Sequence, residues 1–96
     1  MAIMQVSGKI KALRVHDLGT GYGPNTDFID VEAVVALEAN DNRYGFQLRQ
    51  DPKLPAREGM LQLLLSAMTN SWNITIDYDA QPGKKNHIMF RVWVTK

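Results

Sequence analysis

The stretch PAREGMLQLLLSAMTN, residues 55–70, decides the fold, because it is the one segment with helical periodicity among segments that alternate like strands. Its apolar residues recur at spacings of three and four, as 3.6 residues per turn requires. We expect the most buried stripe to be Leu61, Leu64, Leu65 and Met68. We expect the opposite face to carry Arg57, Gln62, Ser66 and Thr69. At about 1.5 to 3 kcal/mol for each fully buried large side chain, this helix anchors the core.

Five further stretches alternate between apolar and polar residues, which is the pattern of half-buried strands. They are residues 5–16, 27–37, 43–49, 72–78 and 87–95. On the last three we expect the alternate apolar residues to share the inner face: Tyr44, Phe46 and Leu48, then Trp72, Ile74, Ile76 and Tyr78, then Ile88, Phe90, Val92 and Val94. In the first stretch the alternation changes phase between Ala12 and Leu13, which predicts a bulge or bend that lets one strand serve two parts of a sheet. Asp30 and Glu32 on the second strand lie opposite Arg43, Gln47 and Arg49 on the third, and these opposed charges predict cross-strand pairs.

The order of these elements, β-β-β-α-β-β, indicates a single domain over residues 1–96 that is mainly β with one helix. Three strands, a helix and two more strands are the order of an OB-fold, a five-stranded coiled β-barrel with the helix at one end. The alternative is an α+β sandwich in which the helix lies on an open sheet.

Composition limits the function classes. The net charge of +1 lacks the basic surplus that is typical of a nucleic-acid binder, so nucleic acid is an unlikely partner. The chain contains no cysteine, which excludes disulfides and thiolate metal sites. We identify no signal peptide and no membrane span, so the expected location is cytoplasmic.

Four segments together resemble the OB-fold B subunits of pentameric bacterial toxins, of the pertussis and subtilase-cytotoxin kind. They are SGKIKALRV, GFQLR, MLQLLLSAMTNSWNITIDYD and IMFRVWV. The resemblance implies a non-catalytic subunit of a ring in which neighbouring subunits join sheet edges and the helices face a central pore. It also implies sugar binding through loops and sheet surfaces, here in a relative that is not secreted.

Two groups of residues are candidates for binding. A small polar ligand such as a carbohydrate is expected at the loop of residues 18–27 or beside a nearby tryptophan, and the candidates are Thr20, Tyr22, Asn25 and Trp72. A homo-oligomer interface is expected where apolar residues fall on faces that alternation assigns to solvent, namely Val34, Ala36, Met89 and Trp93. The alternative for the second group is that a helix or loop covers these residues within the monomer.

Catalytic chemistry has little support in the sequence. His16 and His87 belong to no spaced metal-binding motif, and no serine lies in a nucleophile elbow. We therefore expect a protein that is not an enzyme and uses no cofactor or metal. The function expected is a homo-oligomeric OB-fold binding module, and the alternative is an OB-fold that binds single-stranded nucleic acid.

Overall fold

The computed structural model describes residues 2–95, which are mainly β with one α-helix. In chain order the elements are β1 (Ala2–Gly8), β2 (Ile10–Val15), β3 (Ala33–Leu37), β4 (Arg43–Phe46), α1 (Leu54–Asn70), β5 (Ile74–Ala80) and β6 (Asn86–Val94). A short 3-10 turn, Asn25–Asp27, lies in the long loop before β3. Within residues 2–95, no helix has the length and apolar character needed to cross a membrane.

The strands form one six-stranded sheet in the order β1-β5-β6-β4-β3-β2. Every neighbouring pair is antiparallel except β4 and β6, which run parallel. The two edge strands, β1 and β2, are consecutive in the chain and separated by Lys9 alone. The sheet therefore begins and ends on one nearly continuous segment of chain.

This segment is the single first strand of the sequence prediction, and its division makes six strands where five are expected. β1 pairs with β5 and β2 pairs with β3, so the prediction that the segment bends and serves two parts of the sheet is confirmed. The register with β3 shifts between Ile10 and Ala12. This shift explains why Ile10 and Leu13, three residues apart, both pack against the core.

The main core lies between one face of the sheet and the helix. Its largest fully buried members are inward residues of the strands together with one leucine of α1: Tyr44, Phe46, Leu37, Leu64, Ile74, Ile76 and Met89. The inward alternation predicted for β4 and β5 is confirmed by these residues. Trp72, also expected to point inward, precedes β5 and is exposed.

The predicted buried stripe of the helix is partly wrong. Leu64 and Ala67 are fully buried, whereas Leu65 is 51% exposed and Met68 41% exposed. Leucine is found at position 61 and at positions 63–65. Apolar side chains therefore extend around much of the helix, and periodicity does not select one face. Packing against the sheet selects the face that carries Leu64 and Ala67.

Both helix ends use local hydrogen bonds. At the start, Asp51 Oδ1 accepts the Lys53 N–H at 2.7 Å and Asp51 Oδ2 accepts Arg57 Nη1 at 3.0 Å. At the end, Ser71 adopts the left-handed conformation with φ 55°. The N–H groups of Ser71 and Trp72 then donate to the carbonyls of Met68 and Ala67 at 3.4 and 2.9 Å, which is the Schellman pattern.

A second, smaller core covers the outer face of β3 and corrects the sequence prediction. Ile29 and Val31 pack on Val34, with Tyr22 at the margin, so β3 is buried on both faces. Val34 and Ala36 were expected on a solvent face but are 3% and 2% exposed. The reason is that the chain before β3 folds back over the sheet instead of extending the strand, which begins at Ala33.

A bulge in β6 overturns the predicted faces of the first part of the last strand, whereas Val92, beyond the bulge, packs against the main core as predicted. Tyr78 pairs with Met89 and Asp77 pairs with Arg91, so Phe90 is an extra residue on β6. Met89 points into the main core, whereas the expected inward residues Ile88 and Phe90 are exposed. Met89 is therefore buried within the monomer, and Trp93 is half-buried.

Candidate functional site

The long loop from His16 to Glu32 is held at its base by paired backbone and side-chain bonds. The His16 N–H donates to the Glu32 carbonyl at 2.9 Å, and His16 Nε2 lies 2.8 Å from the Val31 carbonyl oxygen. Further along, Tyr22 and Ile29 exchange two backbone hydrogen bonds, each of 2.9 Å. The glycine-rich loop is therefore an ordered arm that leaves the sheet and returns to it.

Asp27 fastens this arm to the hairpin between β5 and β6. Its two carboxylate oxygens accept the N–H groups of Lys85 and Asn86 at 2.9 and 3.2 Å. The Asn86 side-chain amide donates in return to the Asp27 carbonyl at 2.8 Å. Three hydrogen bonds thus join two loops that are separated by nearly 60 residues of sequence.

Gly23 makes this contact sterically feasible. Its φ is 98°, a conformation that residues with a side chain rarely adopt. A Cβ atom at this position would lie 2.4 Å from the Asp27 carbonyl oxygen and 2.5 Å from Asn86 Nδ2. A glycine is required here because the backbone of the arm passes directly against the fastening residues.

An open pocket of about 350 Å³ lies beside this fastening. It is lined by three parts of the chain, the arm, the turn between β3 and β4, and the start of β6: Tyr22, Gly23, Pro24, Asp27, Asp41, Arg43, Lys85 and Asn86. The Arg43 N–H donates to the Lys85 carbonyl at 2.8 Å, which holds the second and third parts together. The pocket wall is therefore braced by backbone bonds on each side.

The lining combines one aromatic ring with polar groups of both charges. The Tyr22 phenol ring is half-buried, and the Arg14 guanidinium lies over it at 5.5 Å from the ring centre. Arg43 Nη1 donates to the backbone carbonyls of Asp41 and Asn42, both at 3.1 Å. Within residues 2–95 the Asp41 carboxylate accepts no hydrogen bond, which leaves it available to a ligand. Such a lining can donate to and accept from hydroxyl groups.

The structure separates the predicted ligand residues. Tyr22 lines the pocket, while Thr20 and Asn25 are exposed on the same arm and Thr20 Oγ1 donates to the Asp17 carbonyl at 2.7 Å. Trp72 lies close to Ile74, which pairs with the far end of β6. Because a nine-residue strand spans roughly 25 Å, Trp72 and the arm lie at opposite ends of β6 and do not share a site.

Asp27 lies in the loop of residues 18–27 where a ligand was expected, but it was not named as a candidate. Four further polar residues of the pocket lie outside that loop and were not candidates either: Asp41, Arg43, Lys85 and Asn86. These five residues come from three separate segments, and only the tertiary fold brings them together. The sequence placed these charged and amide residues directly next to turns. That placement does not identify a binding site, because it is also common on surfaces that bind no ligand.

An ion cluster of Asp30, Glu32 and Arg49 confirms the predicted cross-strand pairs for Arg49. Arg43 donates to backbone carbonyls instead, and Gln47 donates to the Asp30 carbonyl. Arg49 Nε and Nη2 donate to the Glu32 carboxylate at 3.1 and 2.8 Å, and Arg49 Nη1 donates to Asp30 at 3.1 Å. The hydrogen bond from Arg49 lowers the pKa of Asp30. Burial acts to raise the pKa of Glu32, but hydrogen bonds from Arg49 and the Leu48 N–H lower it overall. The single guanidinium of Arg49 is balanced by two carboxylates, so the cluster carries one excess negative charge and offers no free cation to a ligand.

The two histidines lie in different environments. His87 stacks with the rings of Tyr44 and Tyr78, at 6.1 and 4.9 Å between centres, and burial lowers its pKa. Burial also raises the pKa of Tyr78. His16 is at the base of the arm. In the part of the chain that the structure describes, no group of three histidine, cysteine or acidic residues could hold a metal ion.

Comparison with known proteins adds no relative. No protein-family model matches this chain, and no significant similarity to a curated protein or to a solved structure is found. Function is therefore inferred from the fold and from the chemistry of the pocket.

Proposed function

We propose that this chain is a non-catalytic OB-fold binding module that forms a homo-oligomer and binds a small polar ligand, such as a sugar, in the pocket beside Asp27. One observation carries the ligand half of the proposal. The arm and the β5–β6 hairpin are fastened by the three hydrogen bonds of Asp27, and an aromatic ring and unpaired polar groups surround the resulting opening.

The OB-fold interpretation is supported by the connectivity. Counting β1 and β2 as one bent strand gives five strands with the helix between the third and fourth, and the third and last strands pair in parallel. OB-folds bind oligosaccharides and oligonucleotides near the loop after the first strand and the loop between the fourth and fifth. The arm and the β5–β6 hairpin are the corresponding loops, and they form the pocket.

The lining suits a neutral, hydroxyl-rich ligand. A sugar presents an apolar ring face and many hydroxyl groups, which the half-buried Tyr22 ring and mixed donors and acceptors can match. Asp41 accepts hydrogen bonds, Arg43 and Lys85 donate them, and the Asn86 amide oxygen remains as an acceptor. A strongly charged ligand would gain from one sign of charge and be repelled by the other.

The assembly half of the proposal follows the resemblance to toxin B subunits, which implies a pentameric ring of a non-secreted relative. Support comes from large apolar side chains on the surface of the monomer. They are found on β1, on the helix and just after it, and on β6: Ile3, Met4, Leu65, Met68, Trp72, Ile88 and Phe90. A surface of this kind is a common mark of protein contact.

Single-strand nucleic-acid binding, the alternative function, finds less support in this geometry. Such a binder needs an open strand face with outward aromatic rings and a basic groove. Here the outer face of β3 is covered by Ile29 and Val31, and Arg49 on the adjoining segment is held by two carboxylates. The proposal therefore favours a saccharide over an oligonucleotide.

The test is a saccharide-binding screen by ligand-observed NMR and calorimetry, with Asp41→Ala as the pocket variant. Asp41 is exposed and its side chain has no structural partner among residues 2–95, so the variant should fold normally. Its affinity should fall at least tenfold, the effect of losing one hydrogen bond to a charged group. Glu58→Ala on the helix removes the same charge away from the pocket and should bind as the wild type does.

Two results would count against the ligand half of the proposal. One is the absence of binding to any saccharide at millimolar concentration; the other is equal loss of affinity in the Asp41 and Glu58 variants. Binding of an oligonucleotide that weakens steeply with salt would favour the alternative function instead.

A further inference from the structure

The two edges of the sheet differ in their protection against pairing with another chain. β2, with the sequence IKALRV, carries Lys11 and Arg14 and a register irregularity. β1, with the sequence AIMQVSG, has no charged residue and no proline, and its pairing with β5 is regular over seven residues. Natural sheets use charges, prolines and bulges to block edge pairing. β2 has two of these features and β1 has none.

Two large apolar side chains of β1 are also exposed to solvent. Ile3 is 58% exposed and Met4 is 50% exposed. Met4 pairs with Tyr78, a member of the main core, so Met4 lies on the core side of the sheet and is nevertheless half in solvent. The sheet is therefore open beside β1, where the described part of the chain supplies no further strand.

A groove of about 750 Å³ adjoins Ile3, whose side chain points to the opposite face of β1 from that of Met4. Ile3 lies on one side of it, α1 contributes residues such as Met60, and β6 contributes the exposed side chains of Ile88 and Phe90. The unpaired edge of β1 is thus continuous with an apolar surface. A strand added to β1 would bury side chains as well as satisfy backbone groups.

We propose that β1 pairs antiparallel with β1 of a second copy of this chain about a two-fold axis. The inference rests on the homo-oligomer of the proposed function, and it specifies a two-fold dimer instead of the pentameric ring that the resemblance implies. In a two-fold contact every residue lies near its own counterpart, so a charge on the strand would meet a like charge. The uncharged sequence of β1 meets this condition, and that of β2, with Lys11 and Arg14, does not.

The pairing has a definite geometry. Centred on Gln5, it places the Gln5 side chains next to each other and Met4 opposite Val6 of the partner subunit. Amide side chains can hydrogen-bond to each other, and the two apolar pairs are buried on the core side. In this pairing the unpaired backbone groups of both β1 strands bond to each other, so no β1 edge is left for a third copy and the assembly stops at a dimer. A ring, in contrast, requires two different surfaces on each subunit.

Light scattering after size exclusion, across the micromolar range, tests this proposal with two lysine variants. The wild type is expected to be a dimer, and Gln5→Lys is expected to be a monomer because two ammonium groups meet at the axis. Gln5 is exposed and lies opposite Asp77 on β5, so a lysine there is compatible with the folded chain. Ala12→Lys places the same charge on exposed β2 and should remain a dimer.

Oxidation of cysteine variants gives an independent measurement, because the chain has no native cysteine. Gln5→Cys should form a disulfide-linked dimer, and Ala12→Cys should not. A wild-type monomer would overturn both this inference and the assembly half of the proposed function. A pentamer, a dimer that Gln5→Lys leaves intact, or cross-linking that is equal in both cysteine variants would overturn the β1 contact alone. Saccharide binding is measured separately and bears only on the pocket.

Discussion

The Val31 side chain packs so closely on Gly45 that no Cβ atom fits between them. A Cβ atom on Gly45 would lie 2.6 Å from Val31 Cγ2, and also 3.0 Å from the Ala33 carbonyl oxygen. This glycine allows the segment before β3 to lie on the outer face of β4 and to form the second core. The base of the arm that carries the pocket therefore requires a glycine at position 45 of β4.

Gly45→Ala should destabilise the protein by about 1 to 3 kcal/mol, because an extra methyl group in a packed site forces its neighbours to shift. Gly59→Ala is the matched control. A Cβ at Gly59 meets nothing within 4 Å, and the position is inside the helix, where alanine is favoured by about 0.8 to 1 kcal/mol. Urea unfolding should therefore shift in opposite directions for the two variants. Equal shifts of the urea midpoint in the two variants would show that the close contact between Gly45 and Val31 does not determine stability.

The sequence predicted the parts of the fold in which strand alternation is uninterrupted. Tyr44, Phe46, Ile74 and Ile76 point into the main core as expected, and the bend of the first strand was marked by its change of phase. The prediction of which side chains point inward was wrong around Phe90 in β6, because no glycine or proline marks this bulge in the sequence. It was also wrong at Val34, because alternation cannot show that a loop returns to cover the outer face of a strand.

The candidate pocket was predictable only in its location on the arm. Tyr22 lies in a segment rich in turn residues, which indicates a loop and a surface. Asp27 was not distinguished from other acidic residues, because its partners Lys85 and Asn86 are remote in sequence. Contacts between distant loops depend on the strand order, and the residues themselves carry no local signal of it.

Two adjacent leucines of the helix should differ greatly in their contribution to stability. Leu64 is fully buried and Leu65 is 51% exposed. Leu64→Ala should cost about 2 to 5 kcal/mol, since it leaves a cavity in the main core. Leu65→Ala should change the free energy of unfolding by no more than about 0.5 kcal/mol. Chemical denaturation of the two variants measures this difference, and similar costs would mean that the helix packs through another face.

Replacing Ser71 with glycine should stabilise the protein. Ser71 has φ 55°, and the left-handed conformation costs a residue with a side chain roughly 1 to 2 kcal/mol. Because glycine also gains entropy in the unfolded chain, the net gain in Ser71→Gly should be about 0.5 to 1 kcal/mol. Asn70→Gly, one residue earlier in the helix, should lose about as much. A loss of stability in both variants would contradict a strained Ser71.

The ion cluster of Arg49 should make the protein sensitive to acid. The pKa values of Asp30 and Glu32 are both below their ordinary values of 3.8 and 4.5 in the folded chain. The stabilisation is therefore complete above these ordinary values and is lost as the pH falls through the lower, folded values. Arg49→Gln should be less stable at neutral pH and should lose less stability on acidification.

Arg43→Gln is the control for this prediction, since Arg43 donates to backbone carbonyls and the same charge is removed without a carboxylate partner. Urea midpoints measured from neutral to acid pH should run parallel to the wild type for this variant. If the Arg49 variant also runs parallel, the depressed carboxyl pKa values do not govern acid stability.

His87 should contribute a second, separate pH dependence. Burial against Tyr44 and Tyr78 lowers its pKa from the ordinary 6.5, and its Nδ1 accepts the Gln81 N–H at 3.4 Å, which places the proton on Nε2. As the pH falls, His87 binds a proton at a higher pH in the unfolded chain than in the folded chain. Its contribution to stability is therefore complete above pH 6.5 and declines as the pH falls towards the lower pKa of the folded chain.

His87→Asn keeps an acceptor near Gln81 and removes the titrating group. Its urea midpoint should be lower at neutral pH but nearly constant down to about pH 5.5, while the wild-type midpoint declines. His16 is present in both proteins, so their difference isolates His87, and parallel curves would show that His87 is not buried as a neutral ring.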